Sequence, residues 1–306
     1  MTPLQLTKHH GLGNDFLVAF HPRVDPAELP ALAVRLCDRR RGIGADGLLI
    51  AESDPHHSAR MWLYNADGSR AEMSGNGIRC FAQALAARRG DLDPLTIVTD
   101  AGLRRVLLFA TDRPDTIEAS VDMGEILPGV EPDGWATVGC HPDRPVMHLS
   151  TGNPHTVVGV DDVSVVDLRH LGEQIPTTNL EIVEPGDGPN VIRLRVHERG
   201  AGVTEACGTG ACASAYASRA WGLVPASAVE IVVQMDGGRA KVRLDEPSPG
   251  RVTLIGPSVM IATLEIDLDG LDLTISPSHH EPDDTDSDDT DSGHTESDQE
   301  GTTASA

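Results

Sequence analysis

The sequence lacks the long apolar segments that carry proteins into or across membranes. Among its 306 residues there is no run of about 18 apolar residues, the length that a membrane-spanning helix needs. The opening residues, MTPLQLTKHHGLGNDF, have no basic segment followed by an apolar run, which is the pattern of a signal peptide. We therefore expect a cytoplasmic protein with no membrane partner.

Cysteines are few and not spaced as metal or disulfide sites. The five are Cys37, Cys80, Cys140, Cys207 and Cys212, an odd number with no Cys-x-x-Cys pair. A disulfide framework needs an even set in a secreted chain, and a zinc site needs clustered ligands. We predict neither, so each cysteine either fills the core or has a chemical role.

Positive charge is also scarce. The formal net charge is −23, and residues 281–300 contribute ten acids without Lys or Arg, which leaves the rest near −13. An acidic surface excludes nucleic acid as a partner, because binding to phosphates requires a basic footprint. Residues 278–306 contain no apolar side chains except two alanines, and this composition predicts a disordered acidic tail.

The remaining sequence is rich in strand patterns, with one long helix in each half. The predicted strands are 47–51, 59–64, 95–99, 106–110, 117–121, 155–160, 191–197, 229–234, 239–244 and 252–256. The predicted helices are 28–37, 77–89 and 210–221.

The two halves of the chain repeat each other. YNADGSRAEMSGNG, beginning at Tyr64, aligns with HERGAGVTEACGTG, beginning at His197, and GNDF at 13–16 resembles GNPH at 152–155. The repeat predicts two similar domains, 1–120 and 121–277, with the C-terminal strands free to return to the first. Interfaces between domains are preferred ligand sites.

Each half has a Gly-x-Gly segment that leads into its long helix: Cys207-Gly208-Thr209-Gly210 and Ser74-Gly75-Asn76-Gly77. Glycines let backbone amides approach a ligand, and a helix N-terminus attracts anions such as a carboxylate. The same field favours a thiolate, so we expect a lowered pKa and high reactivity at Cys207. On this motif alone, a buried structural cysteine is an equally good interpretation.

Polar residues accompany these turns. They include the amides Asn14, Asn65, Asn153 and Asn179, each of which also suits a turn. Glu198-Arg199 could pair with the two charges of a zwitterion, and His155 could influence a nearby thiol, although a lone histidine is more often structural.

Together these segments resemble the diaminopimelate epimerase family, in order and spacing. The segments are LTKHHGLGNDF, NADGSRAEMSGNGIRC, TGNPH and VHERGAGVTEACGTGACA, and the resemblance runs from Leu4 to about Ile275. It implies an α+β fold of two pseudo-symmetric domains, each a barrel-like sheet around a central helix. It also implies a homodimer, and an isomerase of lysine and cell-wall biosynthesis that interconverts LL- and meso-2,6-diaminopimelate without pyridoxal phosphate, metal or other cofactor.

The resemblance also assigns roles to residues. Cys207 becomes one of the two acid/base groups. The resemblance implies that His155 and Glu198 tune the pKa values of both groups. The implied substrate contacts are Asn14, Asn65, Gly75, Asn76, Asn153, Asn179, Glu198, Arg199, Gly208 and Thr209.

Ser74 departs from the family pattern, which has a second cysteine there. Epimerisation needs one group to remove a proton and another to return it from the opposite face, and a serine hydroxyl is a far weaker acid than a thiol. Cys80 lies six residues along the helix, about 9 Å away and turned about 240°, so it is a poor substitute.

Three interpretations stay open. In the first, the protein is an epimerase in which Ser74 donates or relays the second proton. In the second, it is a one-base lyase, a dehydratase or another racemase of the same fold. In the third, it is a non-catalytic amino-acid-binding paralogue.

Overall fold

The computed structural model describes residues 3–268, and the predicted tail lies outside this range. The strands are β1 Leu4–Gly11, β2 Asn14–Phe20, β3 Gly47–Glu52, β4 Ala59–Asn65, β5 Arg70–Ala71, β6 Leu95–Thr99, β7 Gly102–Ala110, β8 Thr116–Glu125, β9 Leu127–Pro128, β10 Val146–Ser150, β11 Pro154–Gly159, β12 Asn179–Pro185, β13 Val191–Glu198, β14 Gly202–Thr204, β15 Glu230–Met235, β16 Gly238–Leu244 and β17 Arg251–Ile266. The α-helices are α1 Leu29–Cys37, α2 Gly75–Arg89, α3 Leu168–Glu173 and α4 Gly208–Trp221. In the described range no helix is long and apolar enough to cross a membrane.

One pairing scheme occurs twice along the chain. β1 and β2 are antiparallel, β2 and β3 parallel, β3 and β4 antiparallel, and β4 and β6 parallel. The strands from β10 repeat this: β10 with β11 antiparallel, β11 with β12 parallel, β12 with β13 antiparallel, and β13 with β15 parallel. The prediction of two similar α+β domains is confirmed.

The last strand belongs to both domains. β17 is sixteen residues long; its first part pairs with β16 and β8, and residues 259–266 pair with β1. This closes the first barrel as β1–β2–β3–β4–β6–β7–β8–β17. In the second domain, β9 follows directly after β8 and pairs with β10, which closes the second barrel. The predicted boundary at residue 120 falls inside β8, and the domain limits stay a prediction.

A small-residue helix fills each barrel. The first twelve residues of α2 are buried, and ten of the fourteen residues of α4 are buried. A helix that is buried on all sides needs a nearly continuous apolar or small surface, which the alanines and glycines of both helices provide. Outside the first barrel, α1 packs Leu29, Leu32 and Leu36 against the outer face of β1, β2 and β3.

Several element predictions need correction. Seven strands were not predicted, namely β1, β2, β10 and β12 and the short strands β5, β9 and β14, and the predicted strand 252–256 is only part of β17. α2 and α4 each begin two residues earlier than predicted, because Ser74 and Cys207 are their N-caps. All five cysteines are free.

Candidate active site

The starts of the two central helices meet at the centre of the molecule. A Cβ added at Gly208 would lie 2.8 Å from the Cα of Gly75, and one added at Gly75 would lie 2.9 Å from the Cα of Gly208. Only glycine allows two backbones to approach this closely. Two positive helix ends, capped by Ser74 and Cys207, therefore face a common region between the domains.

This close approach predicts a stability effect. Gly208→Ala should lower the free energy of unfolding by about 1–3 kcal/mol, because the added methyl overpacks a backbone contact that cannot move aside. Urea unfolding measures the change. The control is Gly90→Asn at the C-cap of α2, where the backbone is left-handed and a Cβ meets nothing within 4 Å. A Gly208→Ala variant as stable as the control would contradict the predicted contact.

Cys207 is buried and surrounded by polar groups. The backbone N–H of Gly210 donates to its Sγ at 3.3 Å, and the Thr209 hydroxyl lies 3.4 Å from the same sulfur. The Glu198 carboxyl group acts on the same sulfur through its charge and accepts from the Thr204 hydroxyl at 2.6 Å. These groups bring together three positions predicted for the site: Cys207, Glu198 and Thr209.

The predicted lowering of the Cys207 pKa is wrong. Burial raises this pKa well above its usual value, and the carboxyl groups of Glu198 and Glu181 raise it further. The hydrogen bonds from Gly210 and Thr209 act in the opposite direction but do not outweigh burial. Cys207 is therefore a protonated thiol at neutral pH.

Ser74 has a simpler environment. Its Oγ accepts a hydrogen bond from the N–H of Gly77 at 3.0 Å, the counterpart of the Gly210 contact to Cys207. Cys80 and Cys212 lie deeper in the same helices, and burial raises the pKa of their thiols to about 11 and about 12. They are core residues, as predicted.

Asn76 connects the two domains, and Asn14 bonds to it. Asn76 donates from Nδ2 to Asn14 Oδ1 at 3.1 Å and to the carbonyl of Ala206, just before Cys207, at 2.8 Å. Asn14 donates in turn to Asp46 Oδ2 at 2.8 Å. Both amides are thus held in a fixed orientation at the helix starts.

Arg79 lies beneath this amide pair and is fully buried. Its guanidinium donates to Gly75 O, Asn76 Oδ1 and Pro257 O, and within residues 3–268 it forms no ion pair with a carboxylate. Burial lowers its pKa to about 10, so it stays charged at neutral pH. It therefore adds positive potential beside the N-terminus of α2.

On the other side of the site, Asn153 and His155 form a connected group. His155 Nε2 lies 2.9 Å from Asn153 Oδ1, and Asn153 Nδ2 donates to Thr209 Oγ1 at 3.4 Å. His155 Nδ1 lies 2.6 Å from Glu181 Oε1, with both side chains fully buried.

Three predicted residues remain: the buried Asn179, and Arg199 and Asn65. Asn179 Oδ1 accepts from the backbone N–H of Arg199 at 2.9 Å, and the Arg199 side chain crosses to Glu72 of the other domain at 3.2 Å. Asn65 is different, because its Nδ2 bonds to Ser69 Oγ within its own turn.

Three residues near the site were not predicted from the sequence: Asp46, Arg79 and Glu181. Asp46 comes directly before the apolar strand β3, and Arg79 and Glu181 lie in buried stretches made mostly of apolar or small residues. That contrast is the signal that could have identified them. No cluster of histidine, cysteine, aspartate and glutamate in the described part of the chain is arranged to hold a metal ion.

The family model described as diaminopimelate epimerase matches residues 6–127 and 147–261. The chain belongs to the diaminopimelate epimerase family. It is therefore an isomerase of the epimerase class.

Curated relatives agree along nearly their whole length. The diaminopimelate epimerase of Desulfitobacterium hafniense is 36% identical over 279 residues, covering 84% of this chain and 96% of the relative. The diaminopimelate epimerase of Synechococcus elongatus is 37% identical over 289 residues, covering 87% and 99%. Every relative named here thus aligns with both domains and with the site between them.

Two solved structures share the fold. A Bacillus anthracis phenazine biosynthesis protein of the PhzF family has a TM-score of 0.69 at 15% identity and covers 88% of this chain and 100% of its own. A hydroxyproline epimerase from Agrobacterium vitis, with bound trans-4-hydroxy-L-proline, has a TM-score of 0.65 at 16% identity, with coverage of 88% and 94%. At these identities the similarity establishes the fold alone.

Proposed function

We propose that the chain interconverts LL- and meso-2,6-diaminopimelate by removing and returning the α-proton, without a cofactor. The observation that carries this proposal is the meeting of two helix N-termini, one capped by Cys207 and the other by Ser74. When a substrate carboxylate binds between the two helix ends, one proton-transfer group from each domain lies beside the α-carbon. The 36–37% identity to diaminopimelate epimerases supports the choice of substrate.

In the proposed reaction, the substrate α-carboxylate lies against the amides of Gly75-Asn76 and Gly208-Thr209. Cys207, which is a thiol at rest, first releases its proton to solvent, and the resulting thiolate takes the α-proton. The negative charge left on the substrate is stabilised by the two helix ends and by the buried cation of Arg79. Ser74 then gives its hydroxyl proton to the opposite face, and the alkoxide takes back from solvent the proton that Cys207 released. The reverse direction exchanges the two roles.

Asn14, Asn65, Asn153, Asn179, Glu198 and Arg199 are proposed as further substrate contacts. Arg199 and Glu198 carry the charges that a second amino-acid group would pair with, and the Arg199–Glu72 ion pair is partly exposed at 39% and 47%. An exposed ion pair is weak, so substrate charges can replace it at small cost.

A one-base reaction is the second candidate. Position 74 has a hydroxyl in place of a thiol, and the neighbouring counterparts of His155 and Glu181 in the first domain are the apolar Phe16 and Leu49. A site with a thiol on one side only suits a lyase or dehydratase in which a leaving group departs and no second base is needed.

We also propose, from the family resemblance, that the protein forms a homodimer in the cytoplasm and supplies lysine and cell-wall precursor synthesis. Sedimentation velocity of the purified chain tests the dimer, and a monomer at micromolar concentration would contradict it.

The function is tested with purified protein dialysed against a chelator and checked for the absence of bound pyridoxal phosphate. We expect this protein to convert LL-diaminopimelate to the meso isomer at the same rate as protein that was not treated with chelator, measured by circular dichroism. Hydroxyproline serves as the matched alternative substrate. Turnover that returns only with added metal, or turnover of hydroxyproline alone, would contradict the proposal.

A further inference from the structure

A continuous hydrogen-bond chain runs from the core of the second barrel to Cys207. It consists of Glu181, His155, Asn153 and Thr209, with successive distances of 2.6, 2.9 and 3.4 Å, and Thr209 Oγ1 lies 3.4 Å from Cys207 Sγ. We name it the Glu181 chain. Glu181 is fully buried on β12, and its Oε2 has no hydrogen-bond partner.

All the hydrogen-bond donors of the Glu181 chain point toward Cys207. Glu181 Oε1 faces Nδ1 of His155 and shares a proton with it, so the other nitrogen, Nε2, carries a hydrogen toward the oxygen of Asn153. With Oδ1 facing His155, Asn153 presents its N–H to Thr209 Oγ1. The Thr209 hydroxyl hydrogen is then left to donate to the sulfur of Cys207.

The first domain has no equivalent of this chain. The strand registers place His155 beside Asn179 and Phe16 beside Gly47, so two residues further along, Glu181 corresponds to Leu49. Phe16 and Leu49 are both buried in the same fold. An apolar pair therefore satisfies the packing at these positions, whereas Glu181 leaves a carboxylate oxygen unpartnered, which costs stability.

We propose that Glu181 is a positioning residue for Cys207: it fixes the proton on His155 Nε2 and thereby directs the Thr209 hydroxyl at the sulfur. The directed hydrogen bond stabilises the thiolate. It partly offsets burial and so makes the second domain the side that removes a proton most readily. This inference rests on the proposed catalytic role of Cys207.

Other charged groups face the same sulfur and set the direction of the expected change. Glu198 approaches from the end of β13, and Asp46 acts on Glu198 from the first domain. Negative charge on Glu198 and Glu181 raises the pKa of Cys207, whereas the donor from Thr209 lowers it. The proton that Glu181 shares with His155 offsets the charge of Glu181. Loss of the directed donor should therefore raise the pKa of Cys207.

The test is the double variant His155→Phe, Glu181→Leu, which places the residue types of Phe16 and Leu49 at the equivalent positions of the second domain. The histidine–carboxylate pair with its shared proton is neutral overall, so the double variant removes the hydrogen bonds without changing net charge. The measurement is the rate of iodoacetamide labelling of the Cys207 peptide against pH, followed by mass spectrometry. We expect the midpoint of the curve of labelling rate against pH to rise by about one pH unit in the double variant. Its melting temperature should be unchanged or higher.

Two single variants complete the experiment. In Glu181→Gln the side-chain amide can donate to His155 Nδ1 and so keep the hydrogen on Nε2, and its midpoint should stay near that of the wild type. Glu184→Gln changes a buried carboxylate on the same strand that pairs with Arg193, outside the Glu181 chain, and should leave the midpoint unchanged. A double variant whose midpoint stays in place or falls would overturn the proposal. Because labelling needs no substrate, this outcome is independent of whether diaminopimelate is turned over.

Discussion

Replacing Cys207 by alanine is expected to abolish both epimerisation and α-proton exchange. A positioned acid/base group contributes about 10²- to 10⁴-fold to the rate, and within the described site Cys207 is the thiol at a helix start that faces the domain interface. The measurement is turnover of LL-diaminopimelate together with uptake of solvent deuterium at the α-carbon.

The matched control is Cys212→Ala. Cys212 lies five residues further along α4, fully buried, and its thiol has a pKa of about 12. Its loss should leave exchange and inversion within about twofold of the wild type, because it takes no part in proton transfer. If Cys207→Ala still exchanged the α-proton, the assignment of the base would be wrong.

Ser74→Cys is expected to raise epimerase turnover by roughly tenfold or more, which corresponds to about 1.4 kcal/mol of barrier. The substitution changes one atom at the N-cap of α2, where the N–H of Gly77 already donates to the side chain. A thiol with a pKa near ~8.5 gives and takes a proton far more readily than a hydroxyl. Steady-state rates in both directions measure the gain.

Two companions separate a chemical effect from a change in packing. Ser74→Ala should lose inversion and keep the exchange that depends on Cys207. The swap Ser74→Cys, Cys207→Ser moves the single thiol to the other domain, so exchange should move from one isomer of the substrate to the other. Lower turnover of diaminopimelate by Ser74→Cys would instead favour the one-base interpretation.

Local sequence patterns were sufficient to predict the two central helices and the repeat. The glycines after Ser74 and Cys207 and the alanines that follow are visible in short windows, and they place both N-caps at the site. Local patterns could not predict the length of β17, because that strand is defined by partners in two barrels that are distant in sequence. β12 was missed because Glu181 and Glu184 interrupt its apolar run, and their partners come from other strands.

The pKa of Cys207 shows the same limit. The sequence reveals the helix N-terminus, which favours the thiolate. It does not reveal that β12 and β13 bring Glu181 and Glu198 beside a fully buried sulfur. Burial and these two carboxyl groups reverse the predicted direction of the shift.

The central claim is that Cys207 and Ser74 act on opposite faces of one α-carbon, and a single time course tests it. Wild-type protein is incubated with LL-diaminopimelate in deuterated water, and NMR follows the α-position of both isomers from the start of the reaction. Two-sided transfer predicts meso product that carries deuterium at the inverted carbon while the remaining LL substrate keeps its proton. Deuterium that accumulates in the LL substrate with no meso product would contradict the claim.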